Sequence, residues 1–194
     1  MKNNDKNYLF DILLSEKPSL LIKDNEDCIF KMIPELEKCK NFDQNNPYHI
    51  YDVYEHILHV VDGVPQNIYV RLASLFHDIG KPYTYFKDDS GIGHFYGHFL
   101  KSNKIFLDFS KKYELDEELT ETVSKLIYFH DLRIDKEKSF NLINEKLSIT
   151  EAKMLFQLKR SDLLAHASNC HYLLKDYDIQ EKELLKRYNK QKDI

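Results

Sequence analysis

The sequence predicts an all-α fold, a helical bundle of seven to nine helices with one small hairpin near Tyr83–Tyr96. Three observations carry this. Apolar residues recur at helical spacing through every long segment. Five glycines and five prolines in 194 residues are too few for a loop-rich all-β sandwich. Two N-terminal capping signals, Asp52-x-x-Glu55 and Ser148-x-x-Glu151, stand directly before apolar-periodic runs.

Taken in order, Tyr8–Leu14 and Glu26–Cys39 read as two opening helices, the second capped by Asn25. Asn41–Tyr51 contains Asn45-Asn46-Pro47 and reads as a loop. The helix behind Asp52 carries Val53, His56, Ile57 and Val60 on one face, because residues three and four apart are neighbours on a helix. Pro65 suits the first turn of the next helix, which runs to Ile79 and is ended by Gly80 and Pro82. Asp88-Asp89-Ser90-Gly91 lies between two aromatic stretches and marks the hairpin. Helices are then expected over Gly97–Tyr113 and from the cap Asp116 to about His130. A polar connection, Asp131–Ser139, precedes a short helix at Phe140–Leu147. A long helix follows from the Ser148 cap to about Ser168, and a charged one over Tyr172–Asn189, with fraying expected at Lys190–Ile194.

No repeat, low-complexity tract or linker divides the chain, so residues 1–194 are expected to form one domain. A formal charge of −4 supplies no general attraction for nucleic-acid phosphates, and no DNA partner is expected. Cys28, Cys39 and Cys170 are widely spaced and odd in number, which suits reduced thiols rather than a disulfide framework or a zinc knuckle. Residues Met1–Asp11 are polar, and no apolar run approaches the roughly 20 residues of a membrane span. A cytoplasmic location without membrane contact is the expectation.

Six polar residues occupy positions where helical periodicity calls for a core side chain. His56 lies one step from Val53 and Val60. His77 and Asp78 close the apolar run Val70, Leu72, Ala73, Leu75, Phe76; adjacent residues project about 100° apart, so both reach one site only near a helix end. His98 shares a face with Ser102, Ile105 and Phe109, His130 follows Val123, Leu126 and Ile127, and Asp162 follows Leu155 and Leu158. Burying one unpaired ionisable group costs several kcal/mol. Six are tolerable together if they satisfy one another around a metal ion. Imidazoles with carboxylates suit Mn, Fe, Co, Ni or Zn, and Mg less well. Six ligands with a shared carboxylate would hold two ions, four would hold one. A lone histidine on an apolar helix is more often a hydrogen-bonded core residue, and by that standard His59, His166 and His171 count as structural.

The segment Phe76-His77-Asp78-Ile79-Gly80-Lys81-Pro82, with His56 upstream and Asp162 downstream, resembles the HD-domain superfamily of metal-dependent phosphohydrolases. The stretch Gln44–His56 is similar to the HD region of bacterial CCA-adding tRNA nucleotidyltransferases, as are Gly93–His98, Leu126–Asp131 and Lys159–Ala165. The likeness covers about Phe42 to Ala167. It implies that His56, His77, Asp78 and Asp162 form a four-ligand core, that His98 and His130 serve a second ion, and that Lys81 contacts substrate phosphate. The nucleotidyltransferase head is absent, so CCA addition is not implied.

The expected activity is hydrolysis of a phosphomonoester or phosphodiester by metal-activated water, with Asp78 bridging two ions and Lys81 neutralising developing charge. A nucleotide is the expected substrate, or an RNA-end phosphate, touched by His49, His94 or Arg133. Two rivals stand beside it: a di-iron oxygenase of the same superfamily, and a non-catalytic nucleotide- or RNA-binding module. No P-loop, dinucleotide fingerprint or Ser-His-Asp triad competes.

Overall fold

The structure, a computed structural model, describes residues 2–192; Met1 and residues 193–194, the tip of the segment expected to fray, lie outside the described residues. The elements are α1 (Lys2–Leu13), α2 (Pro18–Asp24), α3 (Glu26–Met32), α4 (Pro34–Glu37), α5 (Val53–Gly63), α6 (Ile68–Phe76), α7 (Lys81–Thr84), β1 (Phe86–Lys87), β2 (Gly93–His94), α8 (His98–Tyr113), α9 (Glu117–Phe129), α10 (Glu137–Lys146), α11 (Ile149–Leu164), a 3-10 helix (Ser168–Leu173) and α12 (Leu174–Lys192). Eight of the twelve α-helices among the described residues run nine residues or longer, and the fold is an all-α bundle.

The short helices come from prolines. Glu26–Cys39, expected as one helix, breaks at Ile33, whose φ of −133° and ψ of 76° obey the restriction that Pro34 places on the residue before it. Asn25 stands at the head of α3 but its amide bonds backward to the Leu21 carbonyl at 2.8 Å, so it closes α2 rather than capping α3. The helix expected from Pro65 begins instead at Ile68, where the Asn67 side chain accepts from the Tyr69 N–H at 2.9 Å. At Ser148 the full capping box forms, with Glu151 N–H to Ser148 Oγ at 3.2 Å and Ser148 N–H to Glu151 Oε2 at 2.6 Å. At Asp52 only half of it does. Asp52 Oδ1 accepts from Glu55 N–H at 2.7 Å, but the Glu55 carboxylate turns to Lys23 at 2.8 Å.

The core is one contiguous cluster drawn from every long helix. Helix α6 lies at its centre, packed against α5, α8, α9 and α11. Every residue from Val70 to Phe76 is buried, as expected of a helix apolar on nearly all sides. Surrounding a helix so fully delivers its C-terminal end, His77-Asp78, to the middle of the molecule. Two glycines set the distances around it. A Cβ on Gly80 would fall 2.5 Å from the His98 carbonyl oxygen and 2.6 Å from Ser102 N, so its hydrogen lets α8 press onto the turn. Gly63 lies against the Ser161 side chain, whose Oγ donates to the Val60 carbonyl at 2.8 Å, holding α5 on α11. The hairpin forms with Phe86 opposite His94 and Lys87 opposite Gly93. Among the described residues no helix is long and apolar enough to cross a membrane.

Candidate metal centre

Four helices and the turn that ends a fifth bring six side chains to one buried place. His56 comes from the middle of α5, His77 and Asp78 from the turn after α6, His98 from the first residue of α8, His130 from the end of α9 and Asp162 from the last turn of α11. Ligand atoms of His56, His77, Asp78 and Asp162 all lie within 4.8 Å of one another, and so do those of Asp78, His98 and His130.

Asp78 belongs to both groups because its two oxygens face different ways. Oδ2 lies 3.3 Å from His56 Nε2 and 3.3 Å from His77 Nε2. Oδ1 lies 3.2 Å from His98 Nε2 and 3.6 Å from His130 Nε2. Asp162 Oδ1 closes the first group, 3.0 Å from His56 Nε2 and 3.8 Å from His77 Nε2.

The tautomers follow from the backbone. His77, His98 and His130 each set Nδ1 against the carbonyl three residues earlier, Ser74 at 2.7 Å, Phe95 at 2.9 Å and Ile127 at 2.7 Å. A carbonyl only accepts, so Nδ1 carries the hydrogen, and in the neutral ring Nε2 keeps its lone pair. His98 and His130 then turn two lone pairs on each other at 3.1 Å, an arrangement that calls for a cation between them. Nε2 of His56 and of His77 is buried without an aligned hydrogen bond, surrounded by carboxylate oxygens. Buried acceptors converging with few donors are what a metal satisfies, and a carbonyl holds the ring nitrogen behind three of the four histidines. The residues fit one ion in the first group and a second ion in the other, with Asp78 shared.

The same neighbours shift the charges of the cluster. Burial opposes ionisation of Asp78, but His77 and Lys81 beside it outweigh burial and hold its carboxyl well below the usual range. Burial is likewise overcome at Asp162 by His166 and His56, and that carboxyl too is held well down. Burial disfavours the charged forms of His56 and His98, yet the adjoining carboxylates carry both upward. At His130 burial prevails and pushes the imidazole down.

Lys81 is buried, with Nζ 2.7 Å from Asp78 Oδ2 and 2.8 Å from Gln44 Oε1. His49 packs edge-on to His56 at 5.6 Å between ring centroids and so adjoins the cluster. His94 does not join these contacts: its Nε2 bonds Asp88 at 2.7 Å, and its ring stacks between Phe86 and Tyr96 on the hairpin. Arg133 pairs with Asp135 at 3.0 Å, its side chain 85% exposed. His59 is exposed and stacks on Tyr51 at 4.2 Å, away from His56.

Three participants escaped the sequence reading. His166 reaches Asp162 with Nδ1 3.7 Å from Oδ1, and its place four residues after Asp162 on the same helical face was the available signal. Gln44 is fully buried and holds Lys81 while donating to the Tyr51 carbonyl at 3.1 Å. Lys159 donates to the carbonyls of His130 and Leu132, the latter at 2.9 Å, fastening the turn that presents His130; burial pushes its ammonium down to about 8. Helical periodicity alone distinguishes neither from a surface polar residue.

A model of the family described as HD domain matches residues 48–187, well over half of the chain. No curated protein matches it.

Proposed function

The chain belongs to the HD-domain family, whose members are mostly metal-dependent phosphohydrolases, and on that premise we propose that it hydrolyses a phosphomonoester or phosphodiester of a nucleotide or RNA end at a two-ion site. The observation that carries the proposal is Asp78, whose two carboxylate oxygens each face a separate pair of imidazole Nε2 atoms. His56, His77 and Asp162 complete one position, and His98 with His130 the other. Divalent transition ions held there would supply hydroxide at neutral pH and neutralise phosphoryl charge.

The protein's own residues do the rest. Asp78 stays ionised at neutral pH and sets the spacing of the two positions. The carbonyls behind His77, His98 and His130 fix their rings before any substrate arrives, so no reorientation is needed. Lys81, dry and held by Gln44, places positive charge beside the carboxylate that both positions share. Five of the six ligand side chains are at most 9% exposed, and Asp162 keeps 20% of its surface exposed. The likeness of Gln44–His56, Gly93–His98, Leu126–Asp131 and Lys159–Ala165 to the HD region of CCA-adding enzymes favours a nucleotide or RNA-end phosphate over other esters. Substrate roles for His94 and Arg133 belong to this proposal in a weaker way, because both already hold carboxylate partners.

The test begins with elemental analysis of purified protein, followed by reloading with Mn, Fe, Co, Ni, Zn or Mg. Each form is then screened against 2′,3′-cyclic nucleotides, nucleoside monophosphates and dinucleotides for product formation, with oxygen consumption followed in the iron form. Turnover that disappears in His77→Ala is expected. Metal-loaded protein that turns over no ester but consumes oxygen would sink the proposal in favour of an oxygenase.

A further inference from the structure

The six ligand residues do not account for all the histidine chemistry at this place. His49, His56 and His166 pack together, with ring centroids 4.4 Å apart for His49 and His166, 5.2 Å for His56 and His166, and 5.6 Å for His49 and His56. Nδ1 of all three is buried without a hydrogen-bond partner. A buried nitrogen left unpaired costs about 1–3 kcal/mol, and three in mutual contact call for a polar guest. Their location says where the guest enters. The side chains of His56, His77, Asp78, His98 and His130 are at most 9% exposed, whereas Asp162 and His166 keep 20% and 19%. The cluster therefore opens past Asp162 and His166, and His49 is half-buried on the same rim. That rim is built rather than incidental: the Ala167 N–H donates to the Tyr48 carbonyl at 2.9 Å, tying the loop that bears His49 to the end of α11 that bears His166.

We propose that His49 and His166 form a phosphate-holding pair at the mouth of the site, each donating an imidazole N–H to an oxygen of the substrate's phosphoryl group. This rests on the phosphohydrolase reading, and it adds the residues that seat the phosphate against the ligand cluster. His166 also reaches Asp162, so the pair adjoins the ligands without being among them. Imidazoles suit the task, since each ring offers an N–H donor to a phosphate oxygen. The guest is a terminal or cyclic phosphate, whose oxygens can reach both rings at once.

The experiment uses the full chain loaded with Mn²⁺ and inorganic phosphate as the probe. Phosphate affinity is measured by calorimetry and metal content by elemental analysis, for the wild type, His49→Ala, His166→Ala and His166→Asn. The alanine variants are expected to keep wild-type metal content and to bind phosphate at least about ten-fold more weakly, the loss of one hydrogen bond to a charged group. Asparagine retains an N–H donor and should recover part of the affinity, which a packing role would not produce. Unchanged phosphate affinity in the variants overturns the pair, as does a wild type that does not bind phosphate. Loss of metal in His166→Ala also overturns it, because His166 would then act by holding Asp162. Ester hydrolysis is scored separately. A wild type that binds phosphate through the pair yet cleaves no ester supports the pair and removes the phosphohydrolase reading.

Discussion

Asp78 does with one side chain what no other residue in the cluster does, since its two oxygens face two imidazole pairs. Asp78→Asn keeps the shape but replaces one oxygen by an NH2 group that cannot ligate a cation. Metal content is expected to fall from two ions per chain to one or none, with turnover reduced by about three orders of magnitude, read by elemental analysis and single-substrate kinetics. His98→Ala and His130→Ala each remove one ligand from the second position only. Two ions falling to one, with the first group still loaded, is the expected result. One ion in the wild type and in both variants would assign these histidines to substrate instead. The polar intrusions on apolar faces made all six residues legible in sequence, because helical periodicity exposes a histidine standing where a leucine belongs. His166 lay on such a face as well, but a single histidine there is ordinarily a core residue, and only its contact with His49 and Asp162 distinguishes it.

At the scale of elements, the junction between the turn after α6 and α8 is a tight place beside the site. Gly80→Ala would put a Cβ against backbone atoms of His98 and Ser102 that have nowhere to move. A loss of about 2–3 kcal/mol is expected by denaturant unfolding, with metal affinity falling too because His98 shifts. The head of α11 gives a milder and pH-dependent test. Burial resists ionisation of Glu151, but the Ser148 N–H and hydroxyl and Lys125 outweigh it and lower its pKa from 4.5. A depressed carboxyl contributes stability that is present above about 4.5 and lost as pH falls through its folded value. Glu151→Gln should flatten the acid limb of the stability curve below pH 4.5, and Ser148→Ala should cost about 1 kcal/mol at neutral pH. The element boundaries show what sequence withholds. The capping box at Ser148 formed whole because both its partners are local. At Asp52 half of it was lost, because Lys23, far off in sequence, competes for Glu55.

For the molecule as a whole, the cluster is a liability without metal: four imidazoles and two carboxylates are packed into the centre of the bundle with few donors among them. Ions that bind only the folded chain stabilise it by mass action, about 2.7 kcal/mol per site at a hundred-fold excess over Kd. For a chain of this length that corresponds to a rise in Tm of roughly 5–10 °C per site. Chelation followed by calorimetry is expected to show that fall in the wild type and a much smaller one in Asp78→Asn. A chelated wild type melting at the same temperature as the loaded protein would mean that the cluster satisfies itself with protons. The same centrality explains why the site's ligands come from α6 and from four helices packed against it. A helix wrapped on all sides, as α6 is, can present its end only to the interior, and its neighbours must supply the remaining ligands.

Sequence alone determined that the chain is helical, where its long helices lie and which six side chains are out of place on their faces, because helical periodicity and capping are read within a few residues. It also carried the His77-Asp78-Ile79-Gly80-Lys81 signature of the family. Tertiary structure decided the rest. Which way each Asp78 oxygen points, which carbonyl fixes each imidazole, that Lys81 rests on Gln44 and that the site opens beside His166 all depend on groups from separate helices meeting. Periodicity says which face of a helix is buried, but not which residue of another helix lies opposite it.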